Sequence, residues 1–410
     1  MGSKNVLVML TSSFPDRSGD ASFIQHEITQ LADAFDRVFI FSFARPKGTL
    51  FSLPPNVEYV GPLKSLRRTE AFSALLDPRA LGRAWRALRM EAKWRAELPY
   101  LKLTVGNIFT GLRFSEAIAK ALLARGVTQD DSVVVYSFWA SHAAMALPFL
   151  DPRYKKFFRL HRFDLYEFGD SHLPLRASLF AAAARLLPIS DHGKSYLLAK
   201  YPSLLDEQNV EVMRLGTADH GSGPMGARSK DAPIEVVSCS SVVPLKRVAD
   251  ILPALELLSK RRPVHWTHFG DGPLMGELKI RTAEAVTDAL RIDLKGQVSN
   301  EQMIDHYKNQ AVDAFVNVSD SEGVPVSIME ALSFGIPVVA TDAGGTGELV
   351  SRENRTGVLL PLRPPADLLA EAIDEVARRP EVFEPREVWK RLSDAEANGE
   401  QLARLLAGTN

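Results

Sequence analysis

The 410-residue chain holds a single cysteine, Cys239. One cysteine excludes a disulfide framework and a cysteine-clustered zinc site. Cys239 falls in the strand-like run IEVVSCSSVV, which reads as a buried, inert thiol rather than a nucleophile. No apolar run reaches about 18 residues, so no transmembrane helix is expected. The N-terminal stretch MGSKNVLVMLTSSFP has too short an apolar core for a signal peptide and passes straight into a strand, so a cytoplasmic location is the expectation. Charge of either sign is not in excess: 49 Lys and Arg face 50 Asp and Glu, a net charge of −1. That balance argues against a general nucleic-acid binder. The first βα loop lacks G-x-G-x-x-G, which disfavours an NAD-linked dehydrogenase. A D-x-D motif is also missing, since the string at Asp320 reads SDSE. No essential divalent ion and no cofactor are therefore expected.

What is present is 46% hydrophobic and 24% charged residues, the composition of a globular α/β protein. The length exceeds one typical core, so two domains are expected. Asn5 to Thr11 is a continuous apolar run, as a strand buried on both faces of a parallel sheet requires. A Ser-, Asp- and Gly-rich loop follows, and Phe23 to Phe35 has helical spacing. Further strands are read at Val38 to Phe43, Asp131 to Phe138, Lys156 to Leu160, Leu186 to Ser190 and Val210 to Leu215. Helices are read at about Ala140 to Leu150 and Asp191 to Lys200. Periodicity then disappears in TADHGSGPMGARSKDAP, the best linker in the chain. Beyond it come strands at Ile234 to Cys239, Trp266 to Phe269 and Ile292 to Val298, a helix at Val248 to Leu258, and helical stretches at Ala366 to Arg378 and Pro385 to Leu406.

The most informative stretch is Asp313 to Val350. It reads as strand (Ala314 to Val318), polar loop (Ser319 to Pro325), helix (Val326 to Phe334), strand (Pro337 to Thr341) and glycine-rich turn (Asp342 to Thr346). Glu322 lies in the loop and Glu330 two turns down the helix. A strand–loop–helix directs backbone N–H groups at a phosphate, and a carboxylate set back from it accepts from sugar or ribose hydroxyls. Lys246 and Arg247 precede another helix, where two cations suit a pyrophosphate.

Lys64 to Lys102 differs in character. It holds ten Lys and Arg against four Asp and Glu, with Arg79, Arg83 and Arg86 at helical spacing and Trp85 and Trp94 alongside. Two readings stand: a face that docks on an anionic bilayer, or a solvated helix face with both tryptophans packed inward.

Glu322-x7-Glu330-Ala331 followed by GIPVVATDAGGTGELV resembles the retaining glycosyltransferases of family 4. RLHRFDLYEF around His161 is similar to an element of enzymes that build bacterial capsular and extracellular polysaccharides. The resemblance implies a GT-B fold, with two Rossmann-like doubly wound domains facing a central cleft and a C-terminal helix crossing back to the first domain. The expected division is an acceptor-binding domain at 1–215, joined by the helix at about 386–410, a linker at 216–233, and a nucleotide-sugar-binding domain at 234–385. It implies transfer of a hexosyl-type sugar, with retention, from a UDP- or GDP-linked donor to a glycan or lipid-linked acceptor.

The resemblance also carries residues. His161, Lys246 and Glu322 are the expected catalytic positions. Gly19, Ser241, Arg247, Gly270, Val298, Gly323, Val324, Pro325, Val326 and Glu330 are expected around the donor. Arg159, Arg162 and Asp164 are candidates for phosphate or acceptor; separately, the local charge of the basic segment makes Arg83, Arg86 and Trp94 candidates for acceptor or a peripheral contact with the inner membrane leaflet. Two departures from the family pattern stand out. Ser241 occupies the place of a usual arginine, so Arg247 is the expected substitute. Glu322-Gly323-Val324-Pro325 replaces E-G-F-G, and Pro325 has no N–H to donate. A sugar-nucleotide epimerase and a non-catalytic sugar-nucleotide-binding module are the competing readings.

Overall fold

The computed structural model describes residues 3–17, 19–64, 78–94, 97–167, 175–224 and 232–408. Parts of the basic segment (65–77, 95–96) and of the linker (225–231) lie outside the described residues. The chain divides into two compact units, Met1–Leu215 with Glu396–Asn410, and Gly216–Ala395.

The first unit is built on a six-stranded sheet of β1 (Asn5–Thr11), β2 (Arg37–Ser42), β3 (Val57–Pro62), β4 (Ser132–Ser137), β5 (Lys155–Leu160) and β6 (Arg185–Pro188). Its order is β3-β2-β1-β4-β5-β6, and every pairing is parallel. The apolar run of β1 is central, with Leu7 opposite both Val38 and Val134. Val6 to Leu10 are fully buried, as a strand covered on both faces must be. The second unit repeats the plan with β7 (Ile234–Cys239), β8 (Val264–Phe269), β9 (Leu290–Gly296), β10 (Ala314–Asn317), β11 (Val338–Thr341) and β12 (Gly357–Leu360), in the order β12-β11-β10-β7-β8-β9. Strand order reverses between β1 and β4 in the first unit and between β7 and β10 in the second. In such sheets ligands bind beyond the carboxyl ends of the strands at that switch point.

Several sequence expectations are corrected. The helix read at Phe23 to Phe35 is two pieces, Ala21–Ile24 and Ile28–Ala34. The segment read as a helix near Ala140 to Leu150 is a 3₁₀ helix, His142–Phe149, with Pro148 inside it; a proline there lacks the N–H that an α-helix would use. Val210 to Leu215 is not a strand of the sheet. It bridges Leu186 only at Val210, with Glu211 and Met213 donating to Leu186 and Pro188. The helix read from Val248 begins at Ile251, after two 3₁₀ turns. The final helical stretch breaks into Pro385–Leu392 and Ala395–Ala407, where Thr217 inserts its backbone by donating to Ser393 and accepting from Ala395.

Candidate active site

At the second switch point, Lys246 follows β7 and Glu322 follows β10. Lys246 Nζ lies 2.5 Å from Glu322 Oε1. The carboxylate is buried, and Asn317 at the end of β10 lies 3.4 Å from the same oxygen. An ammonium and a carboxylate so close, on two loops whose strands are neighbours, fix each other's position.

Two glycines shape this pair from behind. Gly344 has φ +58°, and a side chain there would bring Cβ to 2.0 Å from the Glu322 carbonyl. The next residue, Gly345, donates its N–H to Gly323 O at 2.8 Å. The glycine-rich turn after β11 therefore braces the Glu322 loop. Gly270 acts alike between β7 and β8: its φ is +137°, and a Cβ would lie 1.9 Å from Ser240 O. Ser241 itself is exposed beside that contact.

Glu330 sits on the helix Val326–Ser333 and is buried. Asn300 Nδ2 donates to Glu330 Oε1 at 2.6 Å. Asn300 opens the helix Asn300–Asn309, held by a capping box in which Ser299 Oγ accepts from Gln302 N and Gln302 Oε1 accepts from Ser299 N. Burial pushes the Glu330 carboxyl up to about 7, partly offset by the Asn300 hydrogen bond. Val298, half-buried, lies in the turn just before this cap. Cys239 is close enough to feel Glu330; burial first, then that carboxylate, pushes its thiol up to about 12. This agrees with the inert-thiol reading.

The helix Val326–Ser333 makes its first bonds from Ile328 and Met329 to Pro325 O. Helix geometry leaves the amides of Val326 and Ser327 without an intrahelical partner. Pro325 is buried as the N-cap residue, with Gly323 buried and Val324 half-buried before it. The cation pair read from the sequence divides. Arg247, at φ +50°, pairs with Asp250 and reaches Asp320 at 3.7 Å. Its guanidinium is thus engaged by carboxylates, and Lys246 is the cation beside Glu322.

At the first switch point the chemistry is different. His161 ends β5, is buried, and stacks on Trp139 and Phe138 with ring centroids 4.2 and 4.8 Å away. Neither ring nitrogen has a hydrogen-bond partner among the described residues. Burial, and then the Arg159 charge, holds the imidazole well below its ordinary pKa, so it is neutral. Gly19 has φ +71°, and a Cβ there would meet Ser13 Oγ at 2.7 Å. The adjacent Asp20 ties the loop together, accepting from the backbone of Ser12, Ser13 and Phe14. Asp20 Oδ2 also lies 3.4 Å from Trp139 Nε1. Sequence reading missed Asp20, Trp139 and Asn300.

Four expectations here are corrected. Asp164 is fully buried, and its carboxylate accepts from the N–H of Ala140 and of His161, each at 2.6 Å. It positions His161 and is closed to an acceptor. Arg159 is fully buried and paired with Glu27, so it offers no charge to a ligand. Arg162 is half-buried beside His161. Trp94 packs against Tyr201 with centroids 5.2 Å apart, on the first unit's core, whereas Trp85 is 61% exposed. The expectation that both tryptophans pack inward is therefore met by Trp94 and not by Trp85. Arg83 and Arg86 line a cavity on the far end of the sheet from His161. No group of three or more His, Cys, Asp or Glu able to hold a metal occurs among the described residues. No described helix is long and apolar enough to cross a membrane.

Comparison with known proteins bears on the second unit most directly. Residues 233–379 match the family described as Glycosyl transferases group 1. The amylovoran biosynthesis glycosyltransferase AmsK of Erwinia amylovora is 28% identical over 193 residues, covering 45% of each chain. TuaC of Bacillus subtilis is 36% identical over 121 residues, covering 30% of this chain and 26% of that protein. The chain thus spans about half or less of the length of the curated relatives it matches. Among solved structures, the lipopolysaccharide outer core galactosyltransferase WaaB aligns over 98% of this chain and 99% of its own, at 15% identity and a TM-score of 0.66. Sucrose-phosphate synthase from Thermosynechococcus elongatus aligns over 98% of both chains, at 16% identity and a TM-score of 0.66. These likenesses establish the fold: two Rossmann-like units of the GT-B class.

Proposed function

From a chain that carries a glycosyl transferases group 1 domain, we propose a retaining, metal-independent glycosyltransferase of family 4. It moves a hexosyl-type sugar from a nucleotide-diphosphate sugar to a glycan, either a polysaccharide or a lipid-linked acceptor, in cell-surface glycan biosynthesis. The observation that carries the proposal is the Lys246–Glu322 pair at the β7/β10 switch point, with Glu330 set back on the following helix.

The leaving group is a nucleoside diphosphate, on which negative charge grows as the glycosidic bond breaks. Lys246 and the amides of Val326 and Ser327 stabilise that charge. Glu322, held by Lys246, accepts from hydroxyls of the donor sugar. Glu330 accepts from the ribose hydroxyls, which favour its ionised form. The turn at Val298 holds the base through backbone groups. In the first unit, neutral His161 orients the sugar, and Gly19 keeps the first loop open to the donor phosphates. The enzyme works in the cytoplasm, in peripheral contact with the inner leaflet.

A thermal-shift titration with UDP, GDP, ADP, CMP and TDP tests the donor site. A ligand at 100 times its Kd adds about 2.7 kcal/mol to stability. One nucleotide alone is expected to raise the Tm. If none does so while the protein remains folded, the donor site is refuted. Retention is checked by the anomeric configuration of the product, and an inverted product would overturn that part.

A further inference from the structure

A cavity of about 1130 Å³ opens in the first unit, away from both switch points. Its walls are the helix Pro78–Trp94, the helix Leu98–Ala124, the end of Arg176–Ala182 and the loop entering β5. Gln129, ahead of β4, and Asp151 to Lys156, at the start of β5, also line it. It therefore lies at the amino ends of the strands, whereas His161 lies at the carboxyl end of β5. A six-residue strand puts about 20 Å between those ends.

Cations converge on it from separate elements: Arg79, Arg83 and Arg86 from one helix face, Arg153 from the loop and Lys156 from β5. The two carboxylates in the wall are already engaged. Asp151 is bound by Arg153 at 2.7 Å, and Glu116 by Lys120 at 2.8 Å. Arg83, Arg86 and Lys156 form no ion pair among the described residues. Lys156 is buried, and its Nζ donates to the Asp151 carbonyl at 2.8 Å. Arg83 Nε is buried without a hydrogen-bond partner among the described residues. Burial, aided by the Arg83 charge, pulls Lys156 down to about 8 despite the opposing pull of Asp151. Lys156 is buried and Arg83 half-buried, and with no ion pair to either among the described residues their mutual repulsion would be relieved by an entering anion.

We propose that this cavity is a second anion site, which binds the phosphoryl group of a phosphate ester larger than phosphate itself. Two arginines one helical turn apart offer forked donors that match phosphate oxygens, and the volume leaves room for what the phosphate carries. The ester comes from one of two sources. On another face of the same helix, that helix and its neighbour form a groove lined by Trp85, Leu88, Leu98, Leu101 and Val105 with Arg89 and Lys102, and Leu98 is 65% exposed. A phospholipid headgroup would bring acyl chains to such a groove, whereas a soluble phosphorylated compound would leave it empty.

The test uses full-length protein. Inorganic pyrophosphate is titrated calorimetrically in a Lys246→Ala background, so that the candidate donor site does not report. Flotation is measured on phosphatidylcholine vesicles with and without about 30 mol% phosphatidylglycerol. Arg83→Gln with Arg86→Gln, and Arg86→Gln alone at its exposed position, are compared with Arg89→Gln, which faces the groove. The cavity variants are expected to weaken the response about tenfold or more, with Arg89→Gln changing it less than about twofold. Pyrophosphate binding without flotation assigns the site to a soluble ester. Flotation on anionic vesicles that pyrophosphate does not match assigns it to a lipid headgroup. If neither probe binds, or if Arg89→Gln weakens binding as much as the double variant, the proposal is overturned.

Discussion

The two units share a strand order and place their functional candidates at the same topological position, yet they fill it with opposite chemistry. At the β7/β10 switch point the side chains are ionisable: Lys246 against Glu322, and Glu330 held by Asn300. At the β1/β4 switch point the exposed-end chemistry is aromatic and neutral, with His161 on Trp139 and Phe138, while Asp20 and Asp164 are consumed in holding backbone N–H groups. The doubly wound sheet supplies a crevice, and the loops decide whether ionisable or neutral aromatic side chains line it. Topology alone does not distinguish the two.

The comparison breaks hardest at Lys246. Its replacement by Ala removes the cation proposed to face the leaving group and leaves Glu322, among the described residues, with the Asn317 amide at 3.4 Å. Turnover is expected to fall by about two to three orders of magnitude, as when one preorganised electrostatic partner is lost. A modest loss of Tm should accompany it. A collapse of the Tm with turnover preserved per folded molecule would make the pair structural and erase the contrast between the units.

Glu330 sharpens the same contrast through pH. Glu330→Ala should weaken nucleotide-sugar binding by about 1.5–3 kcal/mol. Because burial raises its carboxyl to about 7, the free protein holds a proton there that the unfolded chain has already released. Its contribution to stability is therefore largest below pH 4.5 and is lost as pH rises through about 7. Ribose hydroxyls prefer the ionised carboxylate, so donor affinity should rise about tenfold between pH 6 and 8. Glu330→Gln should flatten both profiles. An unchanged pH dependence of affinity in that variant would remove Glu330 from the ribose. A nucleotide-diphosphate sugar is the probe for this, because its phosphodiesters do not titrate in the window.

These ionisable groups were the most legible part of the sequence. Glu322, Glu330 and the glycines at 344 and 345 lie within one stretch, and the family resemblance of the whole string, not the Glu-x7-Glu spacing alone, singled them out. Both parallel sheets were readable wherever a strand is buried on both faces, as at β1 and β7. The edge strand β3 was not, since VEYVGP is half-exposed and carries Gly and Pro. The long helix Leu98–Ala124 was not read either; Gly111 sits inside it because a Cβ would meet Met145 O at 2.3 Å, a demand of packing that leaves no periodic trace. The same holds for the supporting residues. Asn300 reaches Glu330 across 30 positions, and Asp20 reaches Trp139 across 119. Asp164 was misread because a fully buried carboxylate that caps two amides has the same letter as one that meets a ligand.

The neutral switch point should respond more weakly, and in different quantities. His161→Ala is expected to lower turnover about 10- to 100-fold while leaving nucleotide affinity unchanged, since the proposed nucleotide contacts are in the other unit. His161 is held well below its ordinary pKa, so no histidine titration between pH 6 and 8 should be lost in this variant. A nucleotide Kd that follows turnover downward would deny the division of labour.

The smallest effect is expected at Trp139. Trp139→Phe keeps an aromatic ring beside His161 and deletes only the indole N–H near Asp20. At 3.4 Å that contact is long for a hydrogen bond, so its loss should cost about 0.5 kcal/mol and change turnover by less than about threefold. Trp139→Ala removes the ring as well and should approach His161→Ala in turnover, because the imidazole, with both nitrogens unbonded among the described residues, depends on Trp139 and Phe138 for its orientation. If Trp139→Phe were as damaging as Trp139→Ala, the Asp20 contact would be what fixes the imidazole. The first switch point would then be a polar device like the second.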